Sequence, residues 1–187
     1  DLVRSRGLGD VYKRQLILCG AVGFFLLEFN NPETMGDMNL LEKMTASLFQ
    51  SVTTRTAGFA TVPQGDLRES SKLLGCMLMF IGGSPAGTAG GVKTTTIAML
   101  LLTVLCVLKN KRDTECFARK IDNNIVRSGI TITMITLIFL MSGITALTIF
   151  EPGIDFLDLT YEAASAMGTV GLTADLTPVS YTHLRAH

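Results

Sequence analysis

Leu73 to Leu108 is a run of 36 residues that carries one charge, Lys93. It is too long for one straight helix across a hydrocarbon core about 30 Å thick. The run must therefore break, and "GGSPAGTAGG" (Gly82 to Gly91) is where it does so. Irregular backbone at membrane depth is tolerated only where it faces water or protein. Ser128 to Phe150 adds 23 residues without a charge, enough for a span. Composition agrees: 17% of the chain is charged, against about 25% in soluble domains.

Several function classes drop out. Formal net charge is zero, so no basic field invites nucleic acid. Cys19, Cys76, Cys106 and Cys116 form no CxxC pair, and both histidines, His183 and His187, sit at the C-terminal end. No metal-ligand spacing and no Ser/His/Asp arrangement is visible, so no enzyme is expected. "GGSPAGTAGGVKTTT" superficially suggests a P-loop-like nucleotide-binding protein. A Walker A loop, however, places Lys directly after Gly, and here Val92 intervenes. A non-conducting membrane scaffold is the other alternative.

The ends, 1–15 and 179–187, break abruptly from the neighbouring sequence and read as non-native tails of a fragment. Leu16 to Phe29 is a short apolar segment. Met44 to Thr54 is an uncharged stretch of 11 residues, and about Leu159 to Met167 is a second short segment of half-membrane length. The connector 109–127 carries six basic and three acidic residues, whereas the loops around 28–42 and 151–162 are mainly acidic. The positive-inside rule places the connector in the cytoplasm and the acidic loops outside.

Thr56-Ala57-Gly58-Phe59 and Thr169-Val170-Gly171-Leu172 lie 113 positions apart. Each comes after a half-membrane helix and, before it, a spanning segment. The pattern is span, re-entrant half-helix, extended Gly-containing segment, span. The expected fold is all-α: tandem span–pore-loop–span repeats with re-entrant half-helices and a broken transmembrane helix. Residues 16–108 form a complete pore repeat, and 128–178 a second one truncated after its filter. Extended backbone can offer carbonyls in place of a cation's hydration shell, and a helix C-terminus behind it favours positive charge. "TVGL" differs by one residue from the core of the TVGYG potassium filter loop.

"FQSVTTRTAGFATV", "LMFIGGSPAGTAGGVKTTTIAML" and "AASAMGTVGLTADLTP" resemble the Trk/Ktr/HKT superfamily of potassium uptake proteins, with the KtrB branch nearest. The resemblance runs from about Leu16 to Pro178 and covers a third pore repeat and part of a fourth. It implies potassium translocation in a multi-pass bacterial cell membrane protein, with sodium as a possible coupling or activating ion and no covalent cofactor. It also implies a homodimer and a cytoplasmic nucleotide-binding regulatory subunit of the KtrA type. The filter residues it implies are Thr56, Ala57, Gly58, Phe59, Thr169, Val170, Gly171 and Leu172. The gate loop it implies comprises Gly82, Gly83, Ser84, Pro85, Ala86, Gly87, Thr88, Ala89, Gly90 and Gly91, with Lys93 at its cytoplasmic edge. "TADLTP" departs from the family's usual Gly soon after Ser/Thr. Arg55 either pairs with an acidic residue or tunes the outer entrance.

Overall fold

The computed structural model describes residues 2–83, 90–109, 115–116, 119–120 and 123–174. Ser84, Pro85, Ala86, Gly87, Thr88 and Ala89 of the expected gate loop lie outside them, as do residues 175–187. The described chain is helical: α1 (Leu2–Glu28), α2 (Leu40–Thr53), α3 (Glu69–Phe80), α4 (Thr94–Leu108), α5 (Asn123–Phe150) and α6 (Phe156–Met167). Within the connector, β1 (Glu115–Cys116) and β2 (Arg119–Lys120) form a two-residue antiparallel ladder.

Helix starts fall earlier than the apolar runs suggest, because caps rather than hydropathy set them. Glu42 and Lys43 interrupt the apolar pattern, yet α2 begins at Leu40. The Glu42 carboxylate accepts the Asn39 N–H at 2.8 Å, satisfying a donor that the first turn leaves free. At α6, Asp155 Oδ2 accepts the Leu157 N–H at 3.1 Å. Glu69 occupies the first turn of α3, where a negative charge is favoured.

The 36-residue run is divided where its glycines cluster. α3 ends at Phe80 and α4 starts at Thr94. The two sides of the break are held together by a parallel bridge, Ile81 with Val92, and by Val92 N–H donating to the Phe80 carbonyl at 3.0 Å.

Among the described residues, Asn124–Phe150 of α5 is the single helix long and apolar enough to cross a bilayer. Leu16 to Phe29 does not supply a second. It continues a helix whose N-terminal half carries Arg4, Arg6, Asp10, Lys13 and Arg14. α5 turns Ile132, Ile138, Phe139 and Ile149 outward, each more than half exposed. An apolar surface that large on one helix suits lipid or other helices rather than water.

The buried core is built from α3, α6 and the segment that leaves α6. Cys76 and Met79 of α3 pack with Tyr161, Ala164, Val170, Leu172 and Ala174. α1 packs on α2 and α3, α3 on α6, and α5 on α4 and α6. Lys72 of α3 and Asp158 of α6 join the two halves by an ion pair at 2.5 Å, with side chains 10% and 21% exposed. Substituting Lys72→Met leaves Asp158 without its partner. It should lower stability by about 1.5–3 kcal/mol, measured as a fall in melting temperature of the detergent-solubilised full-length protein. Adding Asp158→Asn should recover part of that loss.

Candidate filter loops

Each candidate loop begins where a short helix runs out. α2 ends at Thr53 and α6 at Met167. In both places the chain leaves the helix through the same backbone pattern. Thr56 has φ +67° and Gly58 φ +73°, while Thr169 has φ +52° and Gly171 φ +85°. Thr56 and Thr169 are the two non-glycine residues with positive φ among the described residues. Such a conformation costs a non-glycine residue roughly 1–2 kcal/mol. Alternating the sign of φ along an extended segment turns successive carbonyls toward one side rather than to opposite sides.

Hydrogen bonds to the parent helices hold the loops in this form. The Thr53 hydroxyl donates to the Phe59 carbonyl at 2.6 Å and accepts the Phe59 N–H at 2.9 Å. The Ser165 hydroxyl donates to the Leu172 carbonyl at 2.5 Å. Val170 N–H reaches the Ser165 carbonyl at 2.9 Å, and Ala57 N–H the Thr53 carbonyl at 3.3 Å. The Phe59 and Leu172 carbonyls are thus engaged by their own helices. The carbonyls of the first three residues in each loop carry no such side-chain tie among the bonds described.

The two loops face each other. A Cβ built on Gly58 would lie 2.4 Å from the Val170 carbonyl oxygen, and one built on Gly171 would lie 3.8 Å from the Gly58 Cα. The structure therefore sets Gly58 of the first loop against Val170 and Gly171 of the second. Val170 and Leu172 are buried, while Ala57, Phe59, Thr169 and Gly171 are exposed. Both helix C-termini point into this meeting place, each worth roughly half a negative charge. Among the described residues no group of His, Cys, Asp and Glu could hold a metal ion. A cation here would meet carbonyl and hydroxyl oxygens.

Behind the loops lies a polar network that sequence reasoning missed. Gln64 Oε1 accepts from Gln50 Nε2 at 2.5 Å and from the Tyr161 hydroxyl at 2.7 Å. Gln64 Nε2 donates to the Val62 carbonyl at 2.7 Å. The network ties α2, the chain after the first loop, and α6 together. Glu162 accepts the Ala174 N–H at 2.9 Å and the Thr173 hydroxyl, bracing the second loop after Leu172. Thr53, Ser165 and Gln50 were legible only as polar residues within apolar helices.

Of the expected gate loop, the described residues are Gly82, Gly83, Gly90, Gly91 and Lys93. Gly90 abuts the second candidate loop: its N–H donates to Thr169 Oγ1 at 3.0 Å. Lys93 occupies the N-cap position of α4. The guanidinium nitrogens of Arg55, directly before Thr56, are buried without a hydrogen-bond partner among the described residues. The acidic partner expected for Arg55 is not among them.

The chain matches the family model described as TrkH, cation transport protein, over residues 14–179. It is 42% identical over 154 residues to Ktr system potassium uptake protein B of Bacillus subtilis (strain 168), covering 82% of this chain and 34% of that protein. It is 35% identical over 168 residues to potassium/sodium uptake protein NtpJ of Enterococcus hirae, covering 87% of this chain and 37% of that protein. Ktr system potassium uptake protein D of Bacillus subtilis is also 35% identical, with 88% and 37% covered. The chain spans about a third of the length of these curated relatives.

Proposed function

The chain belongs to the TrkH cation transport protein family, a family of transporters rather than enzymes, and from that premise we propose that it is part of the pore of a potassium uptake protein. Thr56, Ala57, Gly58, Thr169, Val170 and Gly171 present backbone carbonyls to a dehydrating potassium ion, and Phe59 and Leu172 anchor the loops. The observation that carries the reading is the shared alternation of φ in two loops that face each other. Carbonyls aligned on one side, with two helix C-termini behind them, form an oxygen-rich site that favours a cation without any charged side chain.

Two loops supply only part of a ring. Since the relatives are about three times as long, further repeats of the full-length protein complete the cage. In this reading 16–108 is one pore repeat and 128–178 begins another, with α2 and α6 as re-entrant half-helices. Residues 109–127 face the cytoplasm. Gly82, Gly83, Gly90 and Gly91, with Lys93, border the gate beneath the filter. The protein crosses a bacterial plasma membrane several times. It works as a homodimer with a nucleotide-binding regulatory subunit, and sodium acts as a coupling or activating ion. The names of the relatives support a multi-component potassium system.

The full-length gene should restore growth of a potassium-uptake-deficient bacterium at low external potassium. Absence of rescue, with the protein present in the membrane, would overturn the reading in favour of a non-conducting scaffold.

A further inference from the structure

We infer that Gly90 is a positioning residue for ion selection: its backbone N–H fixes the Thr169 hydroxyl at the start of the second filter loop. The inference rests on the potassium-pore reading and names a determinant of selectivity outside the filter itself.

The contact is long-range and specific. Gly90 and Thr169 are 79 residues apart, yet the Gly90 N–H lies 3.0 Å from Thr169 Oγ1. The approach requires a glycine. A Cβ on Gly90 would fall 2.9 Å from the Gly168 carbonyl carbon and oxygen and 2.9 Å from the Met167 carbonyl oxygen. The donor is itself held in place, because the Ile81–Val92 bridge and the Val92-to-Phe80 hydrogen bond tie the segment after Gly90 to the end of α3. Thr169, by contrast, sits in an unfavourable backbone conformation at φ +52° and is exposed. A residue of that kind persists only where its surroundings over-determine it.

The chemistry rests on the inventory of a hydroxyl, which has two acceptor lone pairs and one rotatable proton. With one lone pair accepting the Gly90 N–H, the side chain is locked and the second lone pair remains for a cation. Without that donor the hydroxyl rotates freely and can turn its proton toward the ion. Selection between potassium and sodium depends on the number and placement of oxygen ligands. Loosening this oxygen should therefore degrade discrimination more than it degrades turnover.

The test is a double-mutant cycle in the full-length transporter, reading the potassium-to-sodium uptake ratio together with KM and maximal rate. Gly90→Ala and Thr169→Val should each lower the ratio, and combining them should add little. The departure from additivity should be about fivefold or more. Thr169→Ser, which keeps the acceptor, should restore dependence on Gly90. Should Gly90→Ala fail to fold, glycolic acid incorporated at position 90 removes the N–H without adding an atom and should reproduce the loss.

Additive effects, or Thr169→Ser behaving like Thr169→Val, would overturn the positioning role and leave Gly90 as a packing residue only. A wild-type protein that moved no potassium would instead overturn the functional reading beneath it. Thr169→Val without effect in an active transporter would overturn the filter assignment.

Discussion

Gly58→Ala should abolish selective potassium uptake by the full-length protein. Two costs add at this position. The new methyl would sit 2.4 Å from the Val170 carbonyl oxygen, so the opposing loop has to move. Alanine must also hold φ +73°, at roughly 1–2 kcal/mol. Relief of either cost reshapes the pair of loops, so uptake should fall about tenfold or more. Gly171→Ala carries the backbone cost at φ +85°, but its methyl would meet nothing nearer than the Gly58 Cα at 3.8 Å. Gly153→Ala, at φ +108° on the loop before α6, carries backbone strain with nothing within 4 Å of the new methyl. The expected order of damage to uptake is Gly58 first, Gly171 second and Gly153 last, measured as initial rates of rubidium or potassium influx at matched membrane expression. Equal loss at Gly58 and Gly153 would mean that strain alone, and not the meeting of the two loops, governs the effect.

Gln64→Leu should be among the most destabilising single substitutions in this part of the protein. Gln64 Oε1 receives both the Gln50 amide and the Tyr161 hydroxyl, and Gln50, Gln64 and Tyr161 are 0%, 3% and 0% exposed. Leucine fills the space but leaves two buried donors without an acceptor, at about 1–3 kcal/mol each. Tyr161→Phe removes one donor together with its need for a partner, so it should cost far less. In the Gln64→Leu background it should even recover some stability. Thermal unfolding of the full-length protein in detergent reads both effects. Because the network joins α2 to α6, Gln64→Leu should also loosen the registry of the two candidate loops and, on the proposed function, lower selectivity. Tyr161→Phe as costly as Gln64→Leu would show that the tyrosine, not the shared glutamine, carries the network.

Much of the fold was legible because the chain is written in long apolar runs with few charges. The division of Leu73 to Leu108 could be read from its length and its glycines, and the helices end and restart on either side of that cluster. Boundaries were less legible. α2 and α6 begin several residues before the segments that hydropathy marks out, since Asn39 with Glu42, and Asp155, start helices through hydrogen bonds that hydropathy does not register. The first apolar segment, at 14 residues, is marginal for a span by length, and it forms the C-terminal half of the longer helix α1. The eight residues of the two candidate loops were legible as two Thr-x-Gly segments at a fixed offset. Their supports were not. Thr53, Ser165, Gln50 and Gln64 look like ordinary polar residues until their partners are known, and those partners lie 6 to 14 positions away or on another helix.

The sequence by itself determined the class of the molecule: a membrane-type helical chain with a glycine-rich break and two related loops of a potassium-transport family. Length, charge placement and local motifs suffice for that, because each acts within a single segment. Only the tertiary structure decided that the two loops face each other at van der Waals distance and that the fourth carbonyl of each is tied back to its helix. It also decided that Gly90 reaches the Thr169 hydroxyl. These are contacts between residues up to 113 positions apart. Which oxygen meets which donor at that separation depends on how whole helices pack, and no local pattern of residue types encodes it.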